Sequence, residues 1–406
     1  MDLRSGRLFW PSVNEPAPDF RAIESDTACD VAVIGAGITG ALLADRLSQD
    51  GHRVVVLDRR PVCSGSTPAS TGLLQYEIDT PLIRLRKLFG DDRAKRAYRA
   101  SFRTLADFRD LIAGLDDDCG LTGRPSLYLA CEPDDLDELR AECNARRSID
   151  IAVDTIDGEM LRRSFGIDRP GALWSTQAME VDPLRLSLAL LRRAVCNGTR
   201  IFPGTEVAQY EPDADGVTLR TSRGFTVRAA HVAFATGYET PAFLDQSVCT
   251  LKSTYALASK PLDGFLPWRE RCLIWESGQP YFYARTTGDD RMMIGGEDDD
   301  FADPVARDAR IGSKADNLVG KFRDLFPALP IEPEFRWAGT FAETKDGLPY
   351  IGTTPQFPRG YLALGYGGNG ITYSLIASQI IADRLASRPN ADAELFAFDR
   401  AIAQQD

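Results

Sequence analysis

The chain has 406 residues, 44% of them hydrophobic and 26% charged, enough for two packed domains with substantial cores. Its formal net charge of -12 argues against a nucleic-acid partner, because phosphate backbones call for a basic footprint. No apolar run approaches the ~20 residues that span a bilayer and residues 1–29 lack a signal-peptide pattern, so no membrane span is expected and the expected compartment is the cytoplasm.

In chain order, DVAVI reads as a short strand, ITGALLADRLSQDG as a helix ending at Gly51, and RVVVLD as a second strand ending in an acid. Between the first strand and the helix lies G-x-G-x-x-G: Gly35 for the tight turn, Gly37 for close approach of a diphosphate, Gly40 for packing of helix on strand. Ile38 and Thr39 open the helix, whose unpaired N–H groups and positive dipole end suit a diphosphate. Asp58 closes the second strand where an acid accepts hydrogen bonds from ribose hydroxyls, and Arg59 beside it is either a ribose or phosphate contact or a solvated charge. The complete unit points to a dinucleotide but does not separate NAD from FAD.

Further on, Tyr98, Phe102, Leu105, Phe108, Ile112 and Leu115 form the apolar stripe of a helix over 91–115. Asp182 and Pro183 read as N-cap and first position of a helix that Asn197-Gly198 ends. From Val207 to Tyr238 two strands about the turn ADADG lead to HVAFATG, a strand that meets a glycine turn again. LIWESGQPYFYARTTGDDRMMIGGEDDD alternates aromatic and polar residues around Thr-Gly-Asp-Asp, as antiparallel strands of a second domain do. The eight cysteines include no CxxC pair and only His52 and His231 are available beside them, so no metal site is expected and reduced, mostly buried thiols are.

With SGSTPASTGLLQYE, HVAFATGY, WAGTFAETKDGLPYIG and GYLALGYGGNGITYS in this order, the chain resembles the D-amino-acid-oxidase-like family of FAD-dependent oxidoreductases, with glycine oxidases and related flavoprotein amine oxidoreductases nearest in motif. The likeness extends over nearly the whole chain, from LFWPSVNEPAPDF onward. It implies an α/β fold in which a Rossmann-like FAD-binding domain (residues 1–80, 182–245 and 342–406) is interleaved with an α+β substrate domain built on an antiparallel sheet (81–181 and 246–341). It implies FAD as cofactor, bound non-covalently since no cysteine falls in the flavin-facing motifs. Ser66 and Thr67 would contact the diphosphate and ribityl chain; Thr71, Gly72 and Leu73 would run beside the flavin ring. Val207 would bind adenine through its backbone, Thr236 and Gly237 would close the second nucleotide turn, and Gly367, Gly368, Asn369, Gly370, Ile371 and Thr372 would wrap the flavin.

The implied activity is oxidation of a C–N bond of an amine or amino-acid-like small molecule by hydride transfer to flavin, with oxygen or another acceptor taking the electrons. A hydroxy-acid dehydrogenase, an electron-relaying flavin subunit and an NAD(P)-dependent dehydrogenase are the competing readings. The sequence departs from the family on the substrate side. Relatives that oxidise α-amino acids carry an arginine just after W-x-G, whereas here Trp337-Ala338-Gly339-Thr340 is followed by Phe341. The lysine of sarcosine-oxidase-like relatives is replaced by Thr372 in GNGIT, and RMMIGGED has none. Tyr281, Tyr283 and Arg285 share a strand face; by resemblance to glycine oxidases Tyr281 would reach the substrate, and Arg285 would be a substitute anion contact or a rim charge. Glu297 and Asp298 are candidates for a cationic amine, or solvated turn charges, and Glu77 is a further carboxylate for the pocket or an exposed strand end.

Overall fold

The β-branched run in VAVI is the inner strand of a parallel sheet in the computed structural model, which describes residues 2–400. Strand Thr27–Ile34 pairs in parallel with Val54–Leu57 on one side and Thr226–Phe234 on the other, so that Ile34 lies level with both Leu57 and Phe234. Val54–Leu57 is buried at every position, as a strand covered on both faces must be. Beyond these, Arg200–Phe202 forms one edge and Gly360–Leu364 and Tyr350–Gly352 the other, while Val207–Pro212 and Val217–Thr221 attach to Thr226–Phe234 as an antiparallel extension.

Helix Ile38–Gln49 leaves the first strand and packs between helices Pro183–Cys196 and Gly370–Leu385 on one face of this sheet. The expected cap of the second of these is present: the Asp182 carboxylate accepts from Leu184 N at 2.8 Å and Arg185 N at 3.0 Å, and also from Asn14 Nδ2 at 2.6 Å. Asp182→Ala removes all three bonds, and we expect it to cost about 1–2 kcal/mol, read as a lower urea midpoint with an unchanged slope.

A second, ten-stranded sheet runs in the order Arg4–Arg7, Pro333–Glu343, Thr250–Ser259, Met292–Asp299, Phe282–Thr286, Leu273–Glu276, Thr122–Leu129, Gly171–Glu180, Leu73–Gln75, with Asp154–Asp157 also on Gly171–Glu180. All its pairs are antiparallel except Leu273–Glu276 against Thr122–Leu129. Residues 4–7 and 73–75 hydrogen-bond into this sheet although the sequence grouping puts them with the nucleotide-binding segments. A short strand's own residues do not say which sheet edge will accept its backbone.

Helix Asp91–Ala113 buries Tyr98, Leu105, Phe108 and Ile112 of the expected stripe, while Phe102 is half-buried and Leu115 lies beyond the helix end. On the other side of the ten-stranded sheet, helix Ile311–Leu325 packs Leu318 and Phe322 onto Tyr255, Ile294 and Trp268. All eight cysteines are free, five of them buried and Cys196 exposed. Among the described residues no helix is long and apolar enough to cross a membrane.

Candidate active site

A cavity of about 1180 Å³ runs from the glycine turn of the parallel sheet to the face of the ten-stranded sheet, larger than the ~300–1,000 Å³ of an ordinary ligand pocket. Gly35, Gly37, Ile38 and Thr39 line it with Asp58, Arg59, Ser66, Thr67, Thr71, Leu73, Val207, Thr236 and Gly237. Gly367, Gly368, Asn369, Gly370 and Ile371 complete the wall where helix Gly370–Leu385 begins.

The turn is built as its pattern requires. Ile38 N donates to Thr67 Oγ1 at 2.9 Å, which ties the helix start to the Ser66–Thr67 segment. Gly40 stays off the cavity and fills the helix–strand contact: a Cβ there would lie 1.8 Å from Gly35 O. Asp58 accepts from Ala36 N at 2.7 Å and Arg60 N at 2.8 Å, and burial pushes its carboxyl above the usual range. Arg59 ion-pairs with Glu239, with Glu206 at 3.8 Å.

Buried polar atoms of wall residues that have no partner within the protein include Ser66 Oγ and Asn369 Oδ1. The Asn369 amide is held by its other end, Nδ2 donating to Glu77 O at 2.8 Å. Orphaned acceptors, helix starts and glycine turns along one extended cavity fit a long dinucleotide, whose hydroxyls and phosphates would satisfy them.

Gly72 and Thr372 stand behind the wall. Gly72 has φ of 72° and presses its backbone on Val181 O, and the buried Thr372 hydroxyl donates to Gln75 O at 3.3 Å.

The substrate-side expectations divide. Tyr281 lines the cavity beside Tyr283, ring centroids 5.8 Å apart, and the Thr71 hydroxyl donates to Tyr283 OH at 3.3 Å. Phe341 is on the cavity wall, so no arginine occupies that position. Arg285 is not an anion contact. It is 2% exposed, and its guanidinium donates to the carbonyls of Thr71, Gly72 and Thr286, each at 2.9 Å, and of Val181 at 3.2 Å, with Glu180 at 3.5 Å. Strand alternation put it on the correct face, but the loop over residues 71–72 closes above it and takes its donors.

Glu297 also departs from expectation: it is buried away from the cavity, accepting from Asn317 Nδ2 at 3.0 Å and pairing with Lys321 at 2.9 Å and Lys314 at 3.7 Å. Burial pushes its pKa up, yet Asn317 and Lys321 bring it below the ordinary value. Asp298 is on the wall, with Oδ1 buried and unpartnered; burial outweighs the neighbouring Thr254 hydroxyl and moves its pKa to about 6. Glu77 lines the cavity too, only 5% exposed, with Oε1 3.7 Å from Arg146. Arg146 lies within 5.6 Å of the Tyr76 and Tyr98 ring centroids, and its Nε donates to Glu142 at 2.7 Å.

Sequence reasoning missed several wall residues. Asp79, two positions beyond Glu77, accepts from Gly368 N at 2.7 Å, and desolvation raises it to about 6. Lys252 is neutralised by Glu343 at 2.7 Å and Asp300 at 3.0 Å. Tyr128 stacks on Trp275 at 3.8 Å between centroids. Asp79 lies in the loop after strand Leu73–Gln75, and the others come largely from strands whose sheet order the sequence does not reveal.

A largely parallel sheet with its glycine turn opening on a long cavity, closed by a large second sheet, fits a protein that binds a dinucleotide. The chain belongs to the DAO family of FAD-dependent oxidoreductases, whose family model, described as FAD dependent oxidoreductase, matches residues 30–384. It is 28% identical over 408 residues to gamma-glutamylputrescine oxidoreductase of Escherichia coli (strain K12), covering 98% of this chain and 91% of that one. It is 26% identical over 391 residues to glycine oxidase of Geobacillus kaustophilus (strain HTA426), covering 92% and 98% respectively. The crystal structure of a Geobacillus kaustophilus glycine oxidase superposes with a TM-score of 0.76 at 22% identity, over 93% of this chain and all of that one. The protein is thus an enzyme and an FAD-dependent oxidoreductase.

Proposed function

We propose that this enzyme oxidises a C–N bond of an amine that carries no α-carboxylate. The observation that carries the reading is Phe341 on the cavity wall, where an arginine would clamp such a carboxylate, together with the engagement of Arg285 elsewhere. Around the same space stand the carboxyl groups of Asp79 and Asp298, which suit a cationic nitrogen and repel an anion, with Glu343 paired to Lys252 and Glu77 near Arg146. Of the relatives named above, the E. coli one is a gamma-glutamylputrescine oxidoreductase and the Geobacillus kaustophilus one a glycine oxidase.

On this proposal FAD is held non-covalently. Gly35, Gly37, Ile38, Thr39, Ser66 and Thr67 hold its diphosphate and ribityl chain, Asp58 and Arg59 its ribose, and Val207, Thr236 and Gly237 its adenosine end. Thr71, Leu73 and residues 367–371 face the flavin, with Gly72 and Thr372 shaping their backbone. Bound FAD supplies a two-electron hydride acceptor, and oxygen or another acceptor re-oxidises it. The division into nucleotide-binding and substrate segments is retained, with residues 4–7 and 73–75 serving the substrate-side sheet. Tyr281, Tyr283, Tyr128 and Trp275 form the apolar and aromatic walls that exclude water from the reacting carbon.

The test is anaerobic bleaching of the flavin band near ~450 nm by a panel of primary and N-alkyl amines, glycine, sarcosine, alanine and hydroxy acids. Amines are expected to bleach it at concentrations where the amino acids and hydroxy acids do not. Faster bleaching by glycine, sarcosine or a hydroxy acid would overturn the reading.

A further inference from the structure

Strand Met292–Asp299 carries an irregularity whose consequence falls inside the cavity. Tyr255 pairs with Gly296 and Ser253 with Asp299, so Glu297 and Asp298 together oppose the single residue Thr254. This is a β-bulge, with φ of 125° at Gly296 and 57° at Glu297, the latter an unfavourable conformation for a residue with a side chain. Upstream, Gly295 lies on the cavity face: it pairs with Tyr283, and a Cβ there would come within 2.2 Å of the tyrosine hydroxyl. Strict alternation from Gly295 would give Glu297 to the cavity and turn Asp298 away. The bulge reverses that order. Glu297 goes to helix Ile311–Leu325, where Asn317, Lys314 and Lys321 fasten it, and Asp298 goes to the cavity with Oδ1 unpartnered.

A second orphan belongs to another residue of the cavity wall. Glu77, 95% buried by its 5% exposure, lines the cavity with Oε2 unpartnered. Neither histidine lines the cavity, and the amine nitrogen of an ordinary substrate arrives protonated, without the lone pair that oxidation of its neighbouring C–H requires.

Resting on the proposed amine oxidation, we propose that Asp298 is the proton acceptor for the substrate: its Oδ1 receives the R–NH3+ group and takes one proton, leaving R–NH2 and a neutral carboxyl, while Asp79 and Glu77 help hold the incoming cation. The Glu297 anchor is the positioning device that presents Asp298. The groups facing Asp298 are Asp79 from the loop after strand Leu73–Gln75, Glu343 from Pro333–Glu343, Lys252 and the Thr254 hydroxyl from Thr250–Ser259, and Tyr281 and Tyr283. Burial, with the like charges of Glu343 and Asp79, outweighs Thr254 and Lys252 and brings Asp298 to about 6, nearer to an ammonium donor than an ordinary aspartate.

The FAD-loaded enzyme is mixed anaerobically with the best amine of the panel, and the rate of bleaching against concentration yields a dissociation constant and a limiting rate. Asp298→Asn is expected to retain FAD, weaken amine binding about tenfold or more and slow the limiting rate by roughly 100-fold, the scale of losing a positioned base. In wild type the ratio of limiting rate to dissociation constant should fall as pH drops through about 6, because the carboxylates then become protonated. Glu297→Gln, which keeps the shape but weakens the lysine contacts, should raise the dissociation constant several-fold more than it lowers the limiting rate. Should Asp298→Asn lose its FAD, the wild-type pH profile and Glu297→Gln decide. Bleaching by amines that is unchanged in Asp298→Asn, or a flat profile through pH 6 with an unaffected Glu297→Gln, would overturn the proton-acceptor role and leave amine oxidation standing. Failure of every amine to bleach the flavin would instead remove the amine reading itself.

Discussion

Gly40→Val is expected to yield a protein that purifies without FAD and melts well below the wild type. The Cβ of any residue at 40 would meet Gly35 O at 1.8 Å and Gly35 C at 2.9 Å, both backbone atoms of the nucleotide turn. A flexible side chain could swing aside, but a carbonyl at the end of a buried strand cannot. The helix start must therefore move away from the strand, and Ile38 N moves with it, off Thr67 Oγ1. Overpacking of this kind costs ~1–3 kcal/mol even where the neighbours are side chains, so an effect at or above the top of that range is expected here. The ratio of flavin to protein absorbance and a thermal melt read the two consequences together. A folded Gly40→Val protein with full FAD content and an unchanged melting temperature would mean that helix and strand do not meet as described.

Arg285→Met should behave as a lesion of the cofactor cradle, with lower stability and weaker FAD binding. The guanidinium serves four buried carbonyls, those of Thr71, Gly72, Val181 and Thr286, and lies 3.5 Å from the buried Glu180. Methionine restores the volume but none of the donors, and an uncompensated buried partner of this kind typically costs ~3–5 kcal/mol. Because Thr71 and Leu73 line the cavity, release of their backbone loosens the wall on which the flavin is proposed to rest. Urea denaturation and FAD titration of the apoprotein measure both effects. Wild-type stability and FAD affinity, with only substrate binding impaired, would instead mark Arg285 as a substrate contact and contradict the geometry.

The contrast between these residues shows how far sequence reasoning reaches. The glycine turn, the helix after it and Asp58 were legible because each follows from a local demand: a strand that must turn, a helix start that must stay open, an acid one strand away. The buried stripe of helix Asp91–Ala113 and the Asp182 cap were legible for the same reason, since a helix repeats its own geometry and ends by its own unsatisfied groups. Alternation likewise put Tyr281, Tyr283 and Arg285 on one face. It failed one step further, at Glu297 and Asp298, because a bulge is set by the partner strand: two residues opposite Thr254 shift the count by one and exchange the destinations of two adjacent carboxylates.

By itself, then, the sequence determined the elements with a local cause: the nucleotide-binding strand, turn and helix, the capped and striped helices, and a resemblance strong enough to name the cofactor. Only the tertiary structure decided which charges are free. Arg285 and Lys252 are engaged by groups distant in the chain, Glu297 is fastened to a helix that begins fourteen positions later at Ile311, and Asp79 meets Gly368 across 289 positions. The physical reason is that a charge is available to a ligand only when no partner has claimed it, and partners are assigned by sheet order and loop closure, quantities that no window of sequence contains.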